Sequence, residues 1–225
     1  LIFSVAFRLF VAEHESLCGM VLSLSLFKPQ YAIALVSALA LLQYWNTVKA
    51  FAILAVGIAA TCIACLGIHG SVLYLNLTRF HGYEAKANMV NLRGLAEALR
   101  LPSYTAIPFS IVVFVFFWLI AKGIHDPKLH FGQATVLAML VSYHGHVYDA
   151  ALLLIPGSLL IQRRTPCWPA LLAVTPALYF VWRDAHLFPL CFLGLLMFFA
   201  LLQNMKLHTE TQLTSPPLRF ERHNT

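Results

Sequence analysis

The uncharged run AFAILAVGIAATCIACLGI, residues 50–68, decides the fold class of this chain. Because a helix rises 1.5 Å per residue, a segment of roughly 20 apolar residues matches the hydrocarbon core of a bilayer. The composition agrees, since 60% of the 225 residues are hydrophobic and 11% are charged. An average soluble domain is about half apolar and a quarter charged. The balance excludes an ordinary soluble enzyme and a disordered protein, and it predicts an all-α, polytopic integral membrane protein.

Polar residues divide the chain into apolar segments, and we expect about eight transmembrane or partly spanning helices. Residues 1–204 are predicted to form a single membrane domain with one long outer loop, 69–103. This domain is expected to be incomplete at its N-terminus, because Leu1 already lies inside an apolar run. The polar tail, 205–225, is predicted to be disordered. The predicted segments are 1–12, 17–27, 31–44, 50–68, 104–121, 129–142, 147–161, 167–182 and 187–204.

The basic residues near the segment ends predict the orientation in the membrane. The short loop containing Arg163 and Arg164 and the basic tail are both assigned to the cytoplasm. Three polar stretches then lie at the extracytoplasmic face: the break at 28–30, the turn 142–149 and the loop 69–103. Ionisable groups gathered at one membrane face indicate a functional site.

The first polar stretch is Lys28-Pro29-Gln30, which interrupts an otherwise apolar run. Proline lacks a backbone donor and disfavours helix at the preceding residue, so the run is predicted to break here. Lys28 would then lie at the start of the following helix, where anions bind favourably. The alternative is a lysine that only reaches from the apolar region to the membrane surface.

The second polar stretch is SYHGHVYD, residues 142–149. Histidine can act as a base near neutral pH, so His144 is a candidate for proton transfer. Asp149 begins the next apolar segment, where a carboxylate also serves as an ordinary N-terminal helix charge. His144 and His146 could hold a metal, but no third ligand stands at a recognisable spacing, so no metal site is predicted.

The third polar stretch lies in the outer loop and contains Asn91 and Arg93. Apolar residues recur at helical spacing from 92 to 99, with charged residues between them, which predicts an amphipathic helix lying in the membrane interface. This helix either packs on the membrane surface or forms a lid that recognises a lipid head group.

Together these motifs resemble glycosyltransferase family 87, membrane mannosyltransferases of the GT-C type that use polyprenyl-phosphate-linked sugar donors. The resemblance covers roughly residues 15–165, the C-terminal portion of such an enzyme. It rests on Phe27-Lys28-Pro29-Gln30, on Met89-Val90-Asn91-Leu92-Arg93-Gly94, and on Ser142-Tyr143-His144 followed by Tyr148-Asp149. Family members often carry proline where this chain has Tyr143, and arginines where Lys49 stands alone.

The resemblance implies a GT-C-like fold in the plasma membrane and transfer of a hexose, by family expectation mannose, to an acceptor hydroxyl at the extracytoplasmic face. His144 and Asp149 would be catalytic. Lys28 and Arg93 would bind the donor phosphate. The implied partners are a lipid-linked sugar, a glycan or glycolipid acceptor and membrane lipids. The sugar-binding candidates are Gln30, Asn91 and Tyr148.

The sequence predicts neither a cofactor nor a nucleic-acid partner. An acidic catalytic residue in the first outer loop, which the GT-C resemblance implies, would lie before Leu1. A catalytically incomplete scaffold, or remnant of such a transferase, therefore stays open as an alternative. A transporter subunit is less favoured, because it predicts an internal repeat and ionisable groups at mid-membrane depth, and neither is evident.

Overall fold

The computed structural model describes residues 1–79, 89, 91–123, 126–142 and 147–162. Within these ranges the chain is helical and contains no strand. The all-α prediction is therefore confirmed for this part of the protein. The predicted segments 167–182 and 187–204, the tail and His144 lie outside the described residues.

Eight α-helices and three short 3-10 helices follow one another along the described chain. The 3-10 helices are Leu24–Phe27, Ser103–Thr105 and Val147–Leu153. The α-helices are α1 (Ile2–Val11), α2 (Glu15–Ser23), α3 (Pro29–Leu41), α4 (Trp45–Arg79), α5 (Leu92–Ala98), α6 (Ala106–Ala121), α7 (Pro127–Val141) and α8 (Leu154–Gln162).

The predicted helix break at Lys28 is present. The 3-10 turn ends at Phe27, Lys28 takes a non-helical conformation, and Pro29 opens α3 at its first position. Proline suits that position because its fixed φ is helical and its missing N–H would have no partner there. Gln30 and Tyr31 therefore lie in the first turn of a new helix, α3, rather than in a continuation of α2.

One helix in the described part is long and apolar enough to cross a membrane. It runs from Trp45 to Leu73 with a mean hydropathy of 2.5, and 6% of its most apolar window is buried. Gly67 interrupts its helical geometry with φ of 66°. The other described α-helices have 7 to 16 residues, fewer than the roughly 20 of a full span. Multiple spanning and the predicted sidedness therefore stay predictions.

Among the described helices α7 is the central one, and every residue from Leu129 to Leu140 is buried. It packs against α1, α3, α6 and α8. Tyr31, at the start of α3, contacts the segment after α7, and Tyr44, in the turn between α3 and α4, contacts the first turn of α7. The two helices therefore run antiparallel, and the bundle has two distinct polar ends.

Candidate functional site

The first polar end of the bundle is built around the carboxylate of Asp149. The Lys28 ammonium forms an ion pair with its Oδ1 atom, and the Tyr31 hydroxyl donates a 2.8 Å hydrogen bond to its Oδ2 atom. Asp149 is 8% exposed and Tyr31 is 1% exposed. These contacts join residues that lie about 120 positions apart in the sequence, so the first and second polar stretches meet in the fold.

Local geometry explains why these three groups converge. Lys28 precedes α3, and Tyr31 lies in its first turn, so both side chains leave the same end of the helix. Asp149 lies in the 3-10 helix that follows α7. Lys28 and Tyr31 therefore contact different oxygen atoms of the same carboxylate.

The third polar stretch is tied to the same end of the bundle through Asn91. Its Nδ2 atom donates a 2.7 Å hydrogen bond to the carbonyl of Ser142, which ends α7. Its Oδ1 atom accepts a 2.9 Å bond from the Gly94 backbone N–H. Backbone groups at helix ends lack partners within the helix. Asn91 thus caps an N–H group at the start of α5 and bonds a carbonyl group at the end of α7.

Gly94 is required for this turn. A Cβ atom at this position would come within 2.0 Å of the Met89 carbonyl oxygen. The close backbone approach holds the Asn91 cap in place. The backbone of Met89 therefore lies against the first turn of α5, next to the Asn91 cap.

Arg93 differs from the expectation for an interfacial amphipathic helix. Its neighbours Leu92 and Ala96 are buried as predicted, but Arg93 itself is only 6% exposed. The reason is that α5 packs against both α6 and α7, so its polar side also faces protein. Arg93 lines a cavity of about 590 Å³ between α6 and α7, together with Ser142.

The opposite end of the bundle holds a second polar cluster. The imidazole of His130, on α7, lies 3.2 Å from the Ala121 carbonyl through Nε2 and 2.8 Å from the Tyr44 hydroxyl through Nδ1. Because a carbonyl oxygen only accepts, Nε2 carries the hydrogen, and in the neutral ring the Tyr44 hydroxyl donates to Nδ1. Burial raises the pKa of Tyr44 to about 12, with smaller contributions from the Glu15 and Asp126 carboxylates.

The described structure accounts for most of the predicted site residues. Lys28 and Asp149 are brought together directly, and Gln30 is half-buried in the first turn of α3 beside them. Asn91 and Arg93 lie on the same α5 segment, which is bonded to the end of α7. His144 and the side chain of Tyr148 lie outside the described residues. Within the described part, no group of three metal-ligating side chains is present.

Three members of the polar clusters, Tyr31, Tyr44 and His130, were not singled out from the sequence. Tyr31 stands in an apolar run, and its signal was its position two residues after Pro29, in the first turn of the helix that follows the predicted break. Tyr44 gave no sequence signal for its contact with a histidine 86 residues away. A buried tyrosine needs a partner for its hydroxyl, but the sequence does not identify that partner.

Comparisons with family models, with curated proteins and with solved structures gave no match for this chain.

Proposed function

We propose that this protein is a membrane hexosyltransferase, mannosyltransferase-like, that moves a sugar from a polyprenyl-phosphate donor to an acceptor hydroxyl. The observation that carries the proposal is the buried contact of Asp149 with Lys28 and Tyr31. A carboxylate, a cation and a phenol meet at one end of a helical bundle, next to the loop that carries Arg93. The motif resemblance to glycosyltransferase family 87 supplies the donor and the reaction class.

The membrane setting is part of the same proposal. The candidate span in α4 supports membrane association. The shorter apolar helices would cross the bilayer in a GT-C-like, multi-pass arrangement of about eight spanning or partly spanning helices. The Asp149 end would face outward and the tail would be cytoplasmic, with the plasma membrane as the location.

The reaction needs a base, an anion site and a leaving group. The acceptor oxygen forms a bond to the anomeric carbon of the sugar while the bond from that carbon to the phosphate oxygen breaks. The hydroxyl proton passes to His144 or Asp149, and the polyprenyl phosphate leaves. The positive charges of Lys28 and Arg93 suit an anionic leaving group, and Gln30, Asn91 and Tyr148 are the candidates for the sugar hydroxyls.

The decisive experiment measures hexose transfer in membranes that contain the protein as it is encoded in full. A radiolabelled polyprenyl-phosphate hexose is supplied, and labelled glycan or glycolipid is quantified against membranes lacking the protein. We expect transfer by the wild type and its loss in His144→Ala at equal membrane abundance. Wild-type transfer by His144→Ala would remove that residue from the mechanism.

The same assay separates the transferase from a catalytically incomplete scaffold. A scaffold would insert normally and give no labelled product with any polyprenyl-phosphate hexose tested. That result would overturn the proposed function.

A further inference from the structure

The Tyr31 hydroxyl contributes to the Asp149 cluster from a position that is closed to solvent. It donates a 2.8 Å hydrogen bond to the Oδ2 atom of Asp149, and Tyr31 is only 1% exposed. The other donor to this carboxylate, Lys28, has a side chain that is 27% exposed. Lys28 can therefore meet a ligand directly, whereas an effect of Tyr31 on a ligand must pass through Asp149.

Two donors on different oxygen atoms hold the plane of this carboxylate. The torsion that turns the carboxylate of an aspartate has a broad, roughly twofold preference, so the side chain itself does not select one orientation. Lys28 is paired with Oδ1, and Tyr31 is bonded to Oδ2. A rotation about this torsion moves both oxygen atoms away from their donors. The orientation of Asp149 is therefore set by these partners.

Of the two donors, Tyr31 is the more rigid. A lysine ammonium is carried on a flexible four-carbon stem and has three rotatable donors, and Lys28 is the non-helical residue before α3. A tyrosine side chain has two χ angles, and Tyr31 lies within α3, which packs against α7. The ammonium also lies 5.9 Å from the centre of the Tyr31 ring, within the range of a cation–π contact. Tyr31 thus sets the direction of the carboxylate, while Lys28 supplies the charge.

We infer that Tyr31 is the positioning residue of the Asp149 carboxylate, and that it acts on the rate of sugar transfer rather than on substrate binding. The inference rests on the proposed function, in which Asp149 takes part in the transfer step. In that step the acceptor oxygen bonds to the anomeric carbon, its proton passes to the protein, and the polyprenyl phosphate leaves with the electrons of the broken bond. A misplacement of about 1 Å can cost such a step about a hundredfold in rate.

Tyr31→Phe tests the inference because it removes the hydroxyl and keeps the buried ring. Transfer is measured in membranes that contain the full chain, with donor and acceptor concentrations varied, and rates are divided by the amount of folded protein. We expect kcat to fall about ten- to a hundredfold while KM for either substrate changes less than about twofold, since only the placement of Asp149 is lost. A raised KM with an unchanged kcat would show a binding role and overturn the inference.

Tyr44→Phe is the matched control. It also removes one hydroxyl bonded to a side chain, that of His130, but at the opposite end of the bundle. It should leave kcat and KM within about twofold of the wild type, because distant sites act independently. Equal losses of kcat in Tyr31→Phe and Tyr44→Phe would show a general effect of losing a tyrosine hydroxyl and would overturn the inference.

A double variant tests whether Tyr31 acts through Asp149. The residual transfer by Asp149→Asn is compared, over long incubations, with that of the variant carrying both Asp149→Asn and Tyr31→Phe. Because the effects of residues that act as a unit are not additive, the second change should slow the residual transfer less than about twofold. A further loss as large as that of Tyr31→Phe alone would show an independent structural role and contradict the inference.

The outcomes separate this inference from the proposed function. Transfer by the wild type together with an unchanged kcat in Tyr31→Phe would sustain the transferase and refute the positioning role. Absence of transfer by the wild type would refute the transferase, and the positioning role with it.

Discussion

The Lys28–Asp149 ion pair gives an asymmetric prediction for stability. The side chain of Lys28 is 27% exposed and that of Asp149 is 8% exposed. Removing the lysine leaves the more buried charge without its partner, whereas removing the carboxylate leaves an ammonium that can still reach polar surroundings. Lys28→Met should therefore lower the free energy of unfolding by about 3–5 kcal/mol. Asp149→Asn should lower it by about 1.5–3 kcal/mol, because it removes charged hydrogen bonds but keeps one acceptor for Tyr31.

The double variant completes this test. Because Lys28→Met and Asp149→Asn disrupt the same contact, the double variant should be less destabilised than the sum of the single changes, by at least about 1 kcal/mol. Unfolding of the purified chain in mixed micelles, titrated with a denaturing detergent and followed by tryptophan fluorescence, measures all four proteins. Additive effects, or a larger loss in Asp149→Asn than in Lys28→Met, would refute the argument from burial.

Three further changes probe other parts of the bundle by the same unfolding measurement. Asn91→Ala removes the cap of α5 and the bond to the Ser142 carbonyl and should cost about 2 kcal/mol; a loss below about 0.5 kcal/mol would show that neither bond matters. Tyr44 keeps its proton up to a higher pH in the folded state than in the unfolded state, because its pKa is raised to about 12. The free energy of unfolding should therefore hold below pH 10 and decline between about pH 10 and 12. In Tyr44→Phe this part of the decline should disappear, and an unchanged pH profile would contradict the assignment. The Gln133 side chain is fully buried, and its amide atoms have no hydrogen-bond partner among the residues that the structure describes. Gln133→Met should therefore raise stability by about 1 kcal/mol, and a clear loss would point to a partner for the amide.

Much of the helical framework followed from the sequence because its signals are local. The proline at position 29 and the uncharged run after Trp45 act over a few residues, and the helix break and long apolar helix are both present. The amphipathic spacing predicted α5, but not the burial of Arg93. That burial depends on how α6 and α7 pack around α5, which is a property of the tertiary structure.

The candidate site was predictable as a set of residues and not as a set of contacts. Charged residues at the ends of apolar segments identified Lys28 and Asp149, since such groups are costly in an apolar setting. Their pairing depends on the antiparallel arrangement of α3 and α7, which no local pattern specifies. The same arrangement placed Tyr31 on the carboxylate and Tyr44 on His130.

Hexose transfer by Asp149→Asn, in membranes from cells producing the full-length protein, tests whether the Asp149 cluster takes part in sugar transfer. Tyr44→Phe, at the opposite end of the bundle, serves as the matched control, and rates are divided by the amount of folded protein at a temperature where both variants are stable. We expect a loss of at least about a hundredfold for Asp149→Asn, the usual scale of a general acid–base contribution, and less than a twofold change for Tyr44→Phe. Transfer at the wild-type rate by Asp149→Asn would contradict the central claim that the Asp149 cluster belongs to a sugar-transfer site.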